Sequence, residues 1–238
     1  SQTLQHSHIR MNIKEFKLNY CRIKARGFIE IVRKGDGKFG NTFEDLLGLP
    51  ENNIDAPDID GHEIKVQSKQ TNSKMTLFNK NPEWVIPQKR VVNNYGWEHT
   101  THKGEKTIQS TITRTPNKRQ LWLDTADKLY VRLNDTILCQ WSWDSLTAQF
   151  VKKFPNAIKV YGEEKREGDK TYFWFNEAYL LTGTSKELFK KLIIDDIISV
   201  DFRFYTRYNK GLSIRDRGTA FRMRGSYLDK LFVKEIIE

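Results

Sequence analysis

Short segments in which apolar and polar residues alternate recur along this sequence, and they constrain its fold more than any other feature. Examples are HEIKVQ at 62–67, KTYFWF at 170–175 and ISVDFRFYT at 198–206. Alternation with a period of two is typical of strands buried on one face. Fewer segments have apolar residues at the helical spacing of three and four. The predicted strands and helices do not alternate regularly along the chain. The sequence therefore predicts an α/β chain of the α+β kind, with a mixed β-sheet flanked by helices.

Local signals place the other elements. Apolar residues spaced by three and four predict a helix at 12–26, and a second short helix is expected to start at a Thr42 cap and end at Gly48. The polar, proline- and glycine-containing sequence between 81 and 116 predicts long loops, with an edge-type strand at 106–115. The first ten residues show little periodicity and are interpreted as a disordered lead-in or linker.

Charge indicates the kind of partner. The 238-residue chain carries a formal net charge of +10, concentrated as +7 in residues 66–120 and +4 in residues 201–238. Two separate basic segments favour a polyanion such as nucleic acid, although a basic stretch is often only solvated surface. No segment resembles a membrane span or a signal peptide, and two distant cysteines exclude a thiolate zinc finger. We expect a cytoplasmic protein.

The sharpest local motif joins two carboxylates and a lysine. Asp58 stands in a turn-rich stretch, and Glu63 and Lys65 lie two residues apart in the strand that follows. Because side chains alternate along a strand, Glu63 and Lys65 share one face, which Asp58 enters from the turn. Asp58, Glu63 and the main-chain carbonyl of Ile64 form a ligand set suited to Mg²⁺, with Lys65 placed to act on an attacking water. The alternative is a solvated strand end.

Two features upstream support this motif. Glu44, predicted in the first turn of its helix, is explained either by the helix dipole or by a hydrogen bond to a metal-bound water or to Lys65. The glycine-rich RKGDGKFGN lacks the GK[ST] ending of a nucleotide-binding loop. We interpret it as a close-approach loop in which Arg33, Lys34 and Lys38 contact a phosphodiester backbone.

A second set of polar residues lies on the predicted strands near the carboxyl end. Asp201 and Arg203 share one strand face, and Arg222 and Arg224 share a face of a neighbouring strand. Arginine bound to guanine O6 and N7, with aspartate accepting from cytosine N4, would read a C·G pair. The alternative is a salt-bridge ladder in which Asp201 pairs with Arg203 or Arg222.

These motifs resemble the MvaI/BcnI-type restriction endonucleases, relatives of the mismatch-repair nicking enzyme MutH, and the MvaI branch more than the BcnI branch. The segments that carry the resemblance are 33–65, MTLFNKNP at 75–82, QWSWDSL at 140–146, VDFRFYT at 200–206 and RGTAFRM at 217–223. The resemblance implies a PD-(D/E)xK fold whose two lobes clasp duplex DNA. We expect a mainly catalytic lobe at 11–120 and a mainly DNA-recognition lobe at 121–238.

The resemblance also implies site roles. The family's catalytic triad falls on Asp58, Glu63 and Lys65, and its supporting helix carboxylate falls on Glu44. Base reading falls on a set completed by Arg217, which stands just before the glycine of GTAFR, where the family has a histidine that helps to handle the central base pair. The base-reading candidates are Asp201, Arg203, Arg222 and Arg217.

The expected activity is hydrolysis of duplex DNA by a monomer that requires Mg²⁺, with Mn²⁺ as a substitute. The implied target is a short CCNGG-type site, with CCWGG favoured and with strands cut one at a time. Alternatives are a MutH-like nicking enzyme and an inert DNA-binding module. A longer native chain with an effector-binding domain is also considered.

His99 and His102 form an HxxH pair. This pair lacks a third metal ligand nearby in the sequence.

Overall fold

The computed structural model describes residues 11–49 and 59–238. Within that part of the chain, no helix combines the length and apolarity needed to cross a membrane. The elements in chain order are α1 (Ile13–Ala25), β1 (Ile29–Glu30), α2 (Lys38–Leu47), β2 (His62–Ser68), β3 (Lys74–Asn79), β4 (Glu83–Trp84), α3 (Gln88–Tyr95), β5 (Trp97–Glu98), β6 (Lys106–Ile112), β7 (Leu121–Thr125), β8 (Lys128–Leu133), β9 (Thr136–Ser142), α4 (Trp143–Lys153), β10 (Asn156–Glu167), β11 (Lys170–Thr182), α5 (Lys186–Ile194), β12 (Ser199–Arg207), β13 (Leu212–Asp216), β14 (Ala220–Arg224) and β15 (Val233–Ile237).

The chain divides into two compact units, each assembled from separate segments. The first unit comprises, among the described residues, 11–49, 59–72, 152–184 and 232–238, and the second comprises 73–151 and 185–231. Neither unit is one of the contiguous stretches that the sequence suggested. Residues 73–120 pack with later segments, and 152–184 returns to the first unit because β10 pairs with β2. The functional roles of the lobes remain predictions.

The first unit is built on one mixed sheet with the order β1-β11-β10-β2, in which β15 also pairs with β11. β10 and β11 form an antiparallel hairpin, with Gly168 in its turn at φ 62°. β2 joins the sheet in parallel with β10. Aromatic residues of the helices and of β11 form the core, including Phe16, Phe43 and Phe175.

Helix α1 agrees with the prediction, and helix α2 differs at its start. Asn12 caps α1 through a reciprocal capping box with Glu15. α2 begins at Lys38, so the Thr42 cap predicted from the sequence is wrong, and the Thr42 hydroxyl donates to the Lys38 carbonyl within the helix. Gly48 ends α2 as predicted, in the left-handed conformation that glycine adopts without steric cost.

The second unit contains two sheets. One has the order β3-β14-β12-β6-β5 with β13 also paired to β12, and the other has the order β4-β9-β8-β7. The segment 121–142 forms the three strands β7, β8 and β9. Helix α4 follows them, and the Ser142 hydroxyl accepts from the Ser145 N–H at the start of the helix.

The segment 81–116 was predicted as irregular loops, and this prediction is wrong in part. It contains helix α3, which packs on β6 and β12 and buries Val91 and Val92. Eight residues with two buried positions give too little periodicity to indicate a helix. β6 lies inside its sheet between β12 and β5, where the sequence suggested an edge.

Candidate active site and DNA-reading surface

The first candidate site lies on β2, in the first unit. The structure brings Glu63 and Lys65 together on one face of the strand, with the Lys65 ammonium 3.1 Å from Glu63 Oε1. Lys153, in the last turn of α4, places its ammonium 2.9 Å from Glu63 Oε2. The Glu63 residue is only 4% exposed, so a buried carboxylate is held between two ammonium groups.

A tight turn leads the chain into β2. Ile59 and His62 exchange main-chain hydrogen bonds, and Asp60 and Gly61 between them have φ angles of 43° and 74°. The His62 imidazole is buried and its Nδ1 lies 2.9 Å from the Asp60 carbonyl oxygen, which supports a structural role. Asp58, the predicted first carboxylate of the triad, lies outside the described residues.

Glu44 occupies a different part of its helix from the one expected. Because α2 spans Lys38–Leu47, Glu44 lies in the carboxyl-terminal half, where the helix dipole disfavours a carboxylate. The explanation of Glu44 by helix-start electrostatics is therefore wrong. The helix itself gives no reason for an acidic residue there, which leaves the predicted role beside the catalytic residues as the alternative.

Two lysines of this site were missed by the sequence reasoning. Lys153 precedes a turn into β10, and Lys159 lies on β10 directly opposite Lys65 in the parallel register. Lys159 is 1% exposed and donates to Gln67 Oε1 over 2.9 Å. Burial, followed by the charge of Lys65, lowers the pKa of Lys159 to about 7. The one sequence signal for Lys159 was its position inside the apolar run AIKVY, because such a run is typical of a buried strand.

The donor set fits a hard divalent cation. A buried carboxylate is costly unless cations or hydrogen bonds compensate it, and Glu63 already has two ammonium groups beside it. Ile64, the predicted main-chain ligand, lies between Glu63 and Lys65 with its side chain in the core. Carboxylate and carbonyl oxygens are the ligands that Mg²⁺ prefers. Among the described residues alone, no group of three His, Cys, Asp or Glu side chains forms a metal cluster.

The residues predicted to contact the DNA backbone lie near the start of α2. Arg33 makes a two-pronged contact with Asp45, with Nε–Oδ2 and Nη2–Oδ1 distances of 2.9 and 2.8 Å. This contact lowers the pKa of the Asp45 carboxyl. Lys34 is exposed, and Lys38 is the first residue of α2, where the vacant N–H groups favour an anion.

The second candidate site lies on β12 and β14, in the second unit. Arg222 Nη1 is 2.9 Å from Asp201 Oδ2, and Arg222 Nη2 donates to the Lys74 carbonyl. Asp201 Oδ1 and Arg222 Nε are buried without a hydrogen-bond partner. Such atoms are rare in folded proteins and need an explanation. The pair is therefore one ion pair of the kind that the salt-bridge alternative predicts, and one acceptor and one donor of this pair have no hydrogen-bond partner.

Arg203 is fixed by main-chain acceptors. Its Nε donates to the Gly218 carbonyl, and its Nη2 donates to the Arg217 carbonyl and to Asn79 Oδ1, all over 2.9–3.0 Å. Gly218 has a φ of 85°, which a side chain would disfavour. Burial, then the nearby arginines Arg222 and Arg217, lower the pKa of Arg203. The guanidinium is thus oriented before any ligand arrives, and Arg217 itself is exposed.

Lys74 is a further residue that sequence reasoning missed at this site. Its ammonium donates to Ser199 Oγ over 3.0 Å, and its pKa is lowered, by burial above all. Ser199 lies opposite Arg222 in the β12–β14 register. Lys74 stands alone in sequence, far from the arginines, so no local pattern indicated it.

Comparisons with known proteins place the chain among DNA-cutting enzymes. The model of the MvaI/BcnI restriction endonuclease family matches residues 16–232. Among solved structures, the chain is similar to the restriction endonuclease MvaI in complex with its cognate DNA substrate, with a TM-score of 0.79 and 28% identity over 94% of this chain and 98% of that one. It is also similar to MvaI in the absence of DNA, with a TM-score of 0.57 and 26% identity over 100% of both chains. A comparison with curated protein sequences found no match.

Proposed function

Because the chain belongs to the MvaI/BcnI restriction endonuclease family, we propose that this restriction endonuclease cuts duplex DNA at a short CCNGG-type site, with CCWGG favoured. It acts as a monomer in the cytoplasm of a bacterium or archaeon, cuts one strand at a time and requires Mg²⁺, for which Mn²⁺ substitutes. The observation that carries the proposal is the buried Glu63 carboxylate paired with Lys65 on β2.

In the proposed reaction, Asp58, Glu63 and the Ile64 carbonyl would hold the metal ion. When bound there, the ion would supply Lewis-acid chemistry, polarising the phosphodiester and lowering the pKa of water. The Lys65 ammonium, 3.1 Å from Glu63, is oriented by that carboxylate toward the attacking water and the negative charge that develops on phosphorus. Glu44 contributes a second carboxylate that orients Lys65 or this water. The products are a 5′-phosphate and a 3′-hydroxyl.

Recognition is assigned to β12 and β14. Arg203 and Arg222 donate to guanine O6 and N7, and Asp201 accepts from cytosine N4. The main-chain carbonyls of Arg217 and Gly218 support this assignment, since they orient the Arg203 guanidinium before DNA arrives. Arg217, exposed beside Arg203, takes the position where the family has a histidine.

Sequence-independent binding is assigned to basic side chains. Arg33, Lys34 and Lys38 contact phosphates near the start of α2. Arg33 presents a guanidinium that Asp45 already orients, so its charge lies in a fixed place. Binding through such contacts weakens steeply as the salt concentration rises.

Plasmid digestion tests the proposal. The wild type is incubated with DNA with and without Mg²⁺, beside Asp58→Ala, Glu63→Gln and the matched control Asp60→Asn, which changes an exposed carboxylate of the adjacent turn. We expect cutting by the wild type and by Asp60→Asn only, with Mg²⁺ only. Sequencing of the ends identifies the site and the cut position.

Two outcomes would contradict the proposal. Equal cutting by Glu63→Gln and the wild type would show that the active site does not lie on β2. DNA binding without cutting in either Mg²⁺ or Mn²⁺ would make the chain an inert DNA-binding module. End-labelled duplexes separate double-strand cutting from MutH-like nicking, because nicks that accumulate without breaks support the latter.

A further inference from the structure

The polar face of β12 continues beyond the residues assigned above. Its odd-numbered side chains, from Ser199 to Arg207, are polar and share one face, while Val200, Phe202 and Phe204 are buried on the other. In the neighbouring β6, Gln109 lies directly opposite Arg203 and Thr107 lies opposite Tyr205. Paired residues of antiparallel strands present their side chains on the same face. Gln109 therefore extends the surface that carries Arg203.

This surface ends in a small polar pocket of about 260 Å³. The loop 99–102 forms one wall, and Gln109, Arg203, Tyr205 and Arg217 contribute to the others. The volume is below the range of about 300–1,000 Å³ that is usual for small-molecule sites. The pocket therefore suits the edge of a larger ligand better than an enclosed small molecule.

The two histidines of the HxxH motif line this pocket and are held in defined positions. His99 Nδ1 accepts the main-chain N–H groups of Thr101 and His102, both over 3.1 Å. The His102 ring stacks on Tyr205, with ring centroids 5.2 Å apart and an interplanar angle of 18°. Since Nδ1 of His99 is occupied, Nε2 is the ring atom through which His99 can contact a ligand. This arrangement argues against a metal site formed by His99 and His102. It favours a site that binds its ligand through hydrogen bonds.

The His99 ring has the environment of a neutral hydrogen-bond donor. Burial, followed by His102 and Arg207, lowers the pKa of His99, and the opposing effect of Glu105 is smaller. An imidazole with a pKa below its ordinary value near 6.5 is neutral at neutral pH. With Nδ1 accepting, the remaining proton is on Nε2. A phosphate site would favour a charged ring, whereas a base edge needs a directed donor.

The hydrogen-bonding groups match one base pair. The Gln109 amide combines a donor and an acceptor, the pattern that reads adenine N6 and N7. Aromatic surfaces of His102 and Tyr205 provide apolar contact of the kind that suits a thymine methyl group. Gln109 is exposed, and the structure gives its amide no protein partner in the described residues.

We propose that Gln109, His99 and His102 form a further base-reading subsite, which takes the major-groove edge of an A·T pair beside the pair contacted by Arg203. The proposal rests on the DNA recognition assigned to this unit above, and it adds residues from β6 and from the loop before it. Arg203 reads the neighbouring pair, and Gln109 reads the adenine.

Selection from a pool of duplexes with randomised sequence, without Mg²⁺ so that no DNA is cut, tests the subsite. The wild type is compared with Gln109→Glu, His102→Ala and the matched control Gln120→Glu, which places the same new charge at an exposed glutamine outside the pocket. We expect the wild type to enrich A·T next to a G·C pair. Gln109→Glu shifts that one position toward cytosine, whose N4 donates to a carboxylate, and lowers the preference for adenine roughly tenfold to a hundredfold. His102→Ala weakens the preference at the same position.

Unchanged base preferences in Gln109→Glu, or the same shift in Gln120→Glu, would overturn the subsite while leaving the proposed nuclease intact. A wild type that enriches no sequence would overturn base reading as a whole. A wild type that enriches a site but does not cut it when Mg²⁺ is restored would contradict the proposed catalysis and leave the subsite to be judged by Gln109→Glu.

Discussion

Each unit of the molecule holds a buried carboxylate in an ion pair, and the two ion pairs use different cations. Glu63 is 4% exposed between the ammonium groups of Lys65 and Lys153, whereas Asp201 is 7% exposed beside the guanidinium of Arg222. An ammonium group is a compact point charge, and a guanidinium is a rigid fork of donors. The first environment suits charge compensation and proton chemistry, and the second suits recognition of a planar edge. The comparison teaches that the cation type, more than burial, distinguishes the proposed cutting site from the proposed reading site.

The largest effect is expected at Glu63. Glu63→Gln removes the charge that holds Lys65 and that would hold the proposed metal ion, and we expect cutting to fall by at least about a thousandfold in a single-turnover assay. DNA binding measured without metal is expected to stay within about twofold of the wild type. A similar loss of both binding and cutting would contradict a role confined to catalysis.

A smaller effect is expected on the free energy of unfolding, and it arises from the buried Lys159. Its folded pKa of about 7 lies below the ordinary value of 10.5, so the unfolded chain binds more protons between these two values. The free energy of unfolding is therefore expected to rise with pH from about 7 to about 10, by a few kcal/mol at most. Urea unfolding across this range checks it, and Lys159→Met is expected to lose this rise. An unchanged pH profile in Lys159→Met would contradict the expectation.

Arg222→Lys sharpens the comparison most directly, because it replaces the guanidinium of the proposed reading site with the ammonium found at the proposed cutting site. The charge is kept and the fork is lost, so discrimination at one base pair is expected to fall by about 1–3 kcal/mol. Cleavage rates on duplexes with single base-pair changes measure it. An equal loss on all sequences would indicate that Arg222 stabilises the fold or contacts the backbone.

The smallest effect is expected at Lys153. Its ammonium competes with a cation for Glu63, so Lys153→Gln is expected to lower the Mg²⁺ concentration for half-maximal cutting by about fivefold, or about 1 kcal/mol. Lys152→Gln, which changes the neighbouring lysine, is the matched control. A higher Mg²⁺ requirement in Lys153→Gln would show that Lys153 assists metal binding.

Sequence reasoning succeeded where the placement of a side chain follows from its spacing along one strand. The two-residue separation of Glu63 and Lys65 predicted their shared face, and the structure brings them together. It failed for Lys153 and Lys159, because their approach to Glu63 and Lys65 depends on the parallel pairing of β10 with β2 after the excursion of 73–151. It also failed for the start of α2, where Phe39 stacks on Phe173 with ring centroids 4.1 Å apart and extends the helix beyond any local signal.

The sequence alone determined the features that arise within a few residues of chain. The alternation along β2 and β12, the capping of α1 and the glycine end of α2 are of this kind, because neighbouring side chains and backbone sterics control them. Only the tertiary structure decided which charges meet. The ion pairs of Glu63 with Lys153 and of Asp201 with Arg222 join residues that are 90 and 21 positions apart. Their energies depend on burial and distance, which exist only once the strands have paired.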